Sequence, residues 1–131
     1  MIGEVMAEFS GKTIGVKVLS GGKIETTGQG MGKILGIEAT TVFTGVGTPM
    51  PSGVFMIDGD GLVTTMDGDA IMVKITGIGW TTGKGWKSSY RGASYQMTPA
   101  PKLAGLNKMV GVYELETDEN GDFNLKIWEW K

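Results

Sequence analysis

Short runs of β-branched, aromatic and Met residues alternate along this chain with Gly, Asp, Asn and Pro at close spacing. That pattern predicts many short strands joined by tight turns, as in an all-β sandwich or barrel. The runs place strands near 3–9, 12–19, 23–30, 32–44, 54–66, 70–80, 86–97, 109–117 and 122–130. One stretch breaks the alternation: Thr98 can cap a helix with Pro99 at its first position, and Leu103 and Leu106 then share a face. Pro101 and Gly105 hold this segment, near 98–108, to about two turns. Its expected place is over the mouth or edge of the sheet.

Turn chemistry sets the expected registers. Asp67-Gly68 reads as a two-residue type I′ turn that pairs Met66 with Asp69. Leu62, Thr64 and Met66 then share the drier face with Ile71, Val73 and Ile75. Glu119-Asn120-Gly121 reads as a three-residue loop with Gly121 in the left-handed bulge position. Asp118 then pairs with Asp122, Tyr113 and Leu115 face Ile127 and Leu125, and Glu114 faces Lys126. Val112 and Val110 fall opposite Trp128 and Trp130 on the other face. A five-residue loop over 81–85 would pair Trp80 with Trp86 and put Arg91 on the drier face with Ala93 and Tyr95.

Of the 131 residues, 23 are Gly, more than twice the usual ~7%. Gly28, Gly30 and Gly32 recur at period two, as do Gly77 and Gly79, so each set lies on one side of its strand. Glycines so placed permit the tight coiling and close backbone approach that closing a small barrel requires. The fold expected is therefore a single antiparallel β-barrel of about eight strands, one domain over 1–131. Gly28-Gln29-Gly30-Met31-Gly32 superficially matches a dinucleotide loop, but strand-like residues follow it instead of a helix. Of the Asp-Gly stretches at 58–61, 67–69 and 118–122, two are hairpin turns, and with Gly121 as the sixth residue of a calcium loop Ile127 stands at the twelfth position, where a Glu is demanded.

The chain has no Cys and no His, which excludes thiolate and imidazole catalysis and the usual zinc sites. No catalytic residue, metal ligand or cofactor is assigned. A net charge of −2 with dispersed bases gives no stripe for nucleic acid. No run approaches a membrane span, and Met1–Glu4 lacks secretory-signal character, so a cytoplasmic location is expected.

Arg91 is the one Arg, and on an apolar barrel face it must be paired. Two roles stay open for it. It can form a buried ion pair with Glu38 or Asp58, or anchor a carboxylate or phenol-bearing ligand. In the second case Tyr90, Tyr95, Trp80 and Trp86 would line or rim an apolar cavity, with Glu38 nearby. Trp128 and Trp130, on the face away from the expected core, point to a homo-oligomer interface or to packing under the 98–108 segment.

Arg91-Gly92-Ala93-Ser94-Tyr95, Lys102-Leu103-Ala104-Gly105-Leu106-Asn107, Trp128-Glu129-Trp130 and Asp60-Gly61-Leu62-Val63-Thr64-Thr65-Met66-Asp67-Gly68 together resemble a family of small prokaryotic proteins of unassigned function. The Gly and turn spacing of the second half is similar to the eight-stranded barrels of allene oxide cyclase and dirigent type. That resemblance implies an apolar cavity, a dimer or trimer, and cyclase chemistry that moulds a reactive substrate. None of that family's functional residues matches a position here, so none is carried over. Three functions follow: a barrel holding a small apolar ligand; a structural oligomer acting through Trp128 and Trp130; and an isomerase or cyclase with Glu38 or Tyr95 as acid–base group.

Overall fold

Alternation of inward and outward side chains carries the whole chain round one closed sheet. The computed structural model describes residues 1–131. Its strands are β1 (Ile2–Val18), β2 (Ile24–Ile34), β3 (Ile37–Pro49), β4 (Val54–Thr65), β5 (Ala70–Thr81), β6 (Ser88–Met97), β7 (Val110–Thr117) and β8 (Asp122–Trp130). Each pairs antiparallel with its neighbours in sequence, and β8 closes on β1. The all-β barrel expected from the pattern is the fold observed, with eight strands where the runs alone suggested nine. Two of those runs merge into β1, because Gly11 lies in the ladder against Gly30 and does not end the strand. The run 32–44 divides instead at Leu35-Gly36, both at positive φ (50° and 79°) between the paired Ile34 and Ile37. A Leu in the left-handed region gives no turn signal of the Asn or Asp kind.

The barrel has one stoppered end. Residues Pro101–Lys108 form a 3-10 helix whose Leu103 and Leu106, three apart and therefore eclipsed, are buried there with Met6, Ile34, Ala39 and Ile71. The helix starts at Pro101, later than expected, since Ala100 precedes a proline and is held extended (φ −67°, ψ 118°). Thr98 is consequently not a helix cap. Its Oγ1 donates to the Ala70 carbonyl (2.8 Å) and accepts from Ala100 N–H (3.2 Å), while the Asn107 side chain clamps its backbone N–H (2.8 Å) and C=O (3.1 Å). Lys102 joins the cap to the β4–β5 turn through Asp67 (2.7 Å) and Asp69 (3.3 Å).

The β7–β8 hairpin has the expected register throughout, from Asp118 N–H on the Asp122 carbonyl (2.8 Å) to Val110 opposite Trp130. The β4–β5 hairpin differs by one residue. Thr65 N–H donates to the Asp69 carbonyl (2.9 Å) and Gly68, at φ 89°, donates to Thr65 (2.9 Å), so the loop has three residues. Val63 therefore pairs with Ile71, and Val63 and Thr65 are buried while Leu62 and Met66 are exposed. The physical reason lies upstream: Asp58 and Asp60 share parity with Leu62, so the two-residue turn would have turned two carboxylates inward.

Inward-facing glycines let the strands coil and give aromatic rings a bed. A Cβ at Gly32 would run into the Glu8 carbonyl of the neighbouring strand. At Gly28 it would meet the Phe43 ring at 2.6 Å. Phe43 and Phe123 meet edge to face over β2, with centroids 5.2 Å apart and planes at 74°. Gly45 is different, because a Cβ there makes ordinary contact with Ile57 at 3.6 Å. Gly32→Ala should therefore destabilise the barrel by about 1–3 kcal/mol, as overpacking does. Gly45→Ala should stay within about 0.5 kcal/mol of wild type. Urea denaturation of the two variants checks the contrast.

Candidate functional site

Away from the stopper the barrel interior is not filled. A cavity of about 260 Å³ opens at the end carrying the 82–87 loop and the β7–β8 hairpin turn. An eight-stranded barrel is wide enough to be packed with side chains or to hold one small ligand. Here inward glycines decide the matter: Gly45, Gly47, Gly59 and Gly61 on β3 and β4 line the cavity and contribute no bulk. The remaining wall is apolar and aromatic, from Phe43, Phe55, Ile57, Val73, Ile75, Leu115 and Phe123, with scattered Ser, Thr and Tyr hydroxyls. No Asp, Glu, Lys or Arg lines it.

Two tyrosines enter from adjacent strands. Tyr90, on β6, lays its ring over Gly79, its cross-strand partner. Tyr113, on β7, reaches past its partner Gly92 toward β5, its Oη 2.7 Å from where a Gly77 Cβ would stand. Tyr113 is 5% exposed. Burial, with a smaller contribution from Tyr90 beside it, pushes its hydroxyl up to about 12. Ser94 and Ser88, inward on the same sheet, are already engaged with Gln96 Oε1 (2.6 Å) and the Trp86 carbonyl (2.9 Å).

The structure separates the residues singled out in the sequence. Tyr90, Trp80 and Trp86 border the cavity, Trp86 from the 82–87 loop, where its N–H meets the Glu119 carbonyl (3.3 Å). Arg91, Tyr95 and Glu38 are on the outside of the barrel, which corrects the inward position expected for Arg91 and Tyr95. The β5–β6 loop is closed by Thr82 N–H on the Lys87 carbonyl (2.9 Å), so Trp80 pairs with Ser89 and Ile78 with Arg91. That shift of three residues reverses the face of every β6 side chain. Arg91 then ion-pairs with neither Glu38 nor Asp58 but with Glu116 (2.5 Å) and Glu114 (3.8 Å), its guanidinium 5.8 Å from the Trp80 ring centroid. Burial pushes the Glu116 carboxyl up, but hydrogen bonds from Ser89 and Arg91 outweigh it and leave it below its ordinary value. Asp58 pairs with Lys74 (2.7 Å), and Glu38 is exposed opposite Lys33.

Tyr113 escaped the sequence reading. Its spacing puts it on the apolar face of β7, but nothing local marks its hydroxyl as facing a void.

No protein-family model and no curated protein matches the chain. Solved structures do match. A conserved protein of unknown function from Rhodopseudomonas palustris superposes with a TM-score of 0.81 at 13% identity, covering 98% of this chain and 97% of that one. A protein of unknown function from Clostridium acetobutylicum gives 0.78 at 15%, covering 98% of both. A β-barrel-like protein from Acinetobacter baumannii gives 0.77 at 17%, over 100% and 96%. The chain shares its fold with bacterial β-barrel proteins of unknown function. At these identities the likeness is one of fold. No helix in the chain is long and apolar enough to cross a membrane.

The environment of Tyr113 predicts its titration. Below pH 10, the ordinary value, folded and unfolded chains both hold the phenol proton. Between 10 and about 12 the unfolded chain releases it first, so this residue's contribution to stability falls as pH rises through that window. The phenolate absorbance difference between wild type and Tyr113→Phe should contain an ionisation centred near 12.

Proposed function

We propose that this barrel binds a small apolar molecule in its cavity, admitted at the end bordered by Trp86. The observation that carries the reading is an uncharged cavity of about 260 Å³ kept open by inward glycines in an otherwise packed barrel. Benzene occupies an engineered cavity of about 150 Å³, so a molecule of roughly ten heavy atoms fits here. Tyr90 and Trp86 are its contacts among the residues marked by sequence; Trp80 only borders the cavity, its ring lying outside beneath Arg91, and Arg91, Tyr95 and Glu38 have no part in it. The cyclase reading loses its acid–base candidates with them, because both Glu38 and Tyr95 face solvent. Native mass spectrometry of the protein as purified should find an adduct released on denaturation. Gly45→Leu, which fills the cavity, should lose the adduct while keeping the wild-type circular dichroism spectrum. An adduct that survives this substitution places the molecule elsewhere and overturns the reading.

A second function, self-association, is favoured by the outer face of β6, β7, β8 and β1. Registered cross-strand rows run Arg91–Glu114–Lys126–Glu8, Ala93–Val112–Trp128–Val5 and Tyr95–Val110–Trp130–Ile2. A two-fold axis parallel to the strands, midway between β7 and β8, exchanges the first position with the fourth and the second with the third. Glu114 then meets Lys126 of a second copy, Arg91 meets Glu8, and each Trp meets a Val. The face is thus self-complementary in charge and in side-chain size, as an isologous dimer requires. Trp130 (58% exposed), Ile2, Val5 and Tyr95 supply apolar surface to cover. Sedimentation should find dimers for wild type and monomers for Trp130→Ala and Lys126→Glu. Exchanging both charges, Glu114→Lys with Lys126→Glu, should restore the dimer; a monomeric wild type at micromolar concentration refutes the interface.

A further inference from the structure

We infer that the molecule this cavity takes is uncharged and carries one hydrogen-bond acceptor, a carbonyl oxygen or its equivalent, seated against the hydroxyls of Tyr113 and Tyr90. The inference deepens the ligand-binding reading and rests on it. Three observations support it. First, no Asp, Glu, Lys or Arg lines the cavity, and Arg91 and Lys74 are paired outside it with Glu116 and Asp58. A carboxylate or ammonium drawn into such a wall would lose its water and gain no counter-charge, so charged ligands are rejected.

Second, neither the hydroxyl of Tyr113, a residue 5% exposed, nor that of the half-buried Tyr90 makes a hydrogen bond within the chain, and neither oxygen is wholly enclosed by protein. Buried phenols ordinarily find a partner. Here the partner is missing where the wall has been cut back, since Gly77 and Gly79 leave the space that the two tyrosines enter. The neighbouring Ser88 and Ser94 hydroxyls already donate to protein acceptors. They do not complete the pair.

Third, Tyr113 keeps its proton far above neutral pH, so its hydroxyl always has an O–H to donate. It offers an O–H to the cavity, and the group that complements a donor is an acceptor. Desolvation strengthens such a bond, since in a dry site no water competes for the phenol. An apolar body against Phe43, Phe55 and Ile57 with a carbonyl toward β5–β7 satisfies both halves of the wall.

Three compounds of nearly the same size and shape separate the possibilities: acetophenone, α-methylstyrene in which CH₂ replaces the carbonyl oxygen, and benzoate, which adds the charge. Their dissociation constants are measured by ligand-observed NMR titration against the full chain, Tyr113→Phe, Tyr90→Phe and Gly45→Leu. Acetophenone should bind wild type about tenfold more tightly than α-methylstyrene, with benzoate weakest. Tyr113→Phe deletes a single oxygen and should bring acetophenone to the level of α-methylstyrene while leaving α-methylstyrene unchanged. A thermal melt verifies that the variant is folded. Equal binding of ketone and hydrocarbon by wild type overturns the acceptor inference and leaves the cavity reading standing. Tightest binding by benzoate overturns it through the charge argument. Failure of all three compounds to bind, or binding unaffected by Gly45→Leu, removes the cavity reading and this inference with it.

Discussion

Where glycine faces the lumen decides the interior of this barrel. An eight-stranded sheet closed on itself has little interior to share, and each inward side chain competes for it. Two rows have the same construction: Phe123 on β8 passes Gly11 to reach Gly30 on β2, and Tyr113 on β7 passes Gly92 toward Gly77 on β5. In each, an aromatic residue spans two glycines on the next two strands. The glycine nearest the ring leaves no room for a Cβ, because the adjoining strand's carbonyl lies in its path. Coiling and aromatic packing are thus one constraint, and the void on β3 and β4 is what remains where Gly45, Gly59 and Gly61 have no ring laid over them.

The two ends of the barrel follow from this division. At one, Leu103 and Leu106 from the 3-10 segment complete an apolar core with Met6, Ile34 and Ile71, and Lys102 ties the segment to the turn below. At the other, the loops meet one another and the strand ends, through contacts such as Trp86 with Glu119 and Thr13 of β1 with Gly121. A stoppered end supplies rigidity; an open one supplies access. The cavity walls between them are uncharged, with the charges of the strands turned outward.

On that outer surface the charges are ordered. Arg91, Glu114, Lys126, Glu8, Lys33 and Glu38 alternate in sign across six strands, each opposite the next. Individual exposed pairs contribute little to stability. A periodic row does something else: it opposes register slips, each of which would separate opposite charges that now face one another. Beside it lie the rows bearing Trp128 and Trp130, so specificity of strand pairing and an apolar face sit on adjacent rungs of the same ladder.

Strand content, the turn at 118–121, the full register of β7 with β8 and the outward position of Trp128 and Trp130 were legible in the sequence. Each depends on residues close together and on a turn whose geometry its own side chains dictate. Period-two glycine was legible as barrel closure for the same reason. The faces of β4 and β6 were not. Their pairings are one residue and three residues away from those the turn residues suggest, and odd shifts invert a strand. Only closure, which keeps Asp58, Asp60 and Arg91 out of a common interior, chooses between the alternatives. The cavity and the hydroxyl of Tyr113 within it belong to that second class: a void is the sum of what eight strands fail to contribute, and no local pattern encodes it.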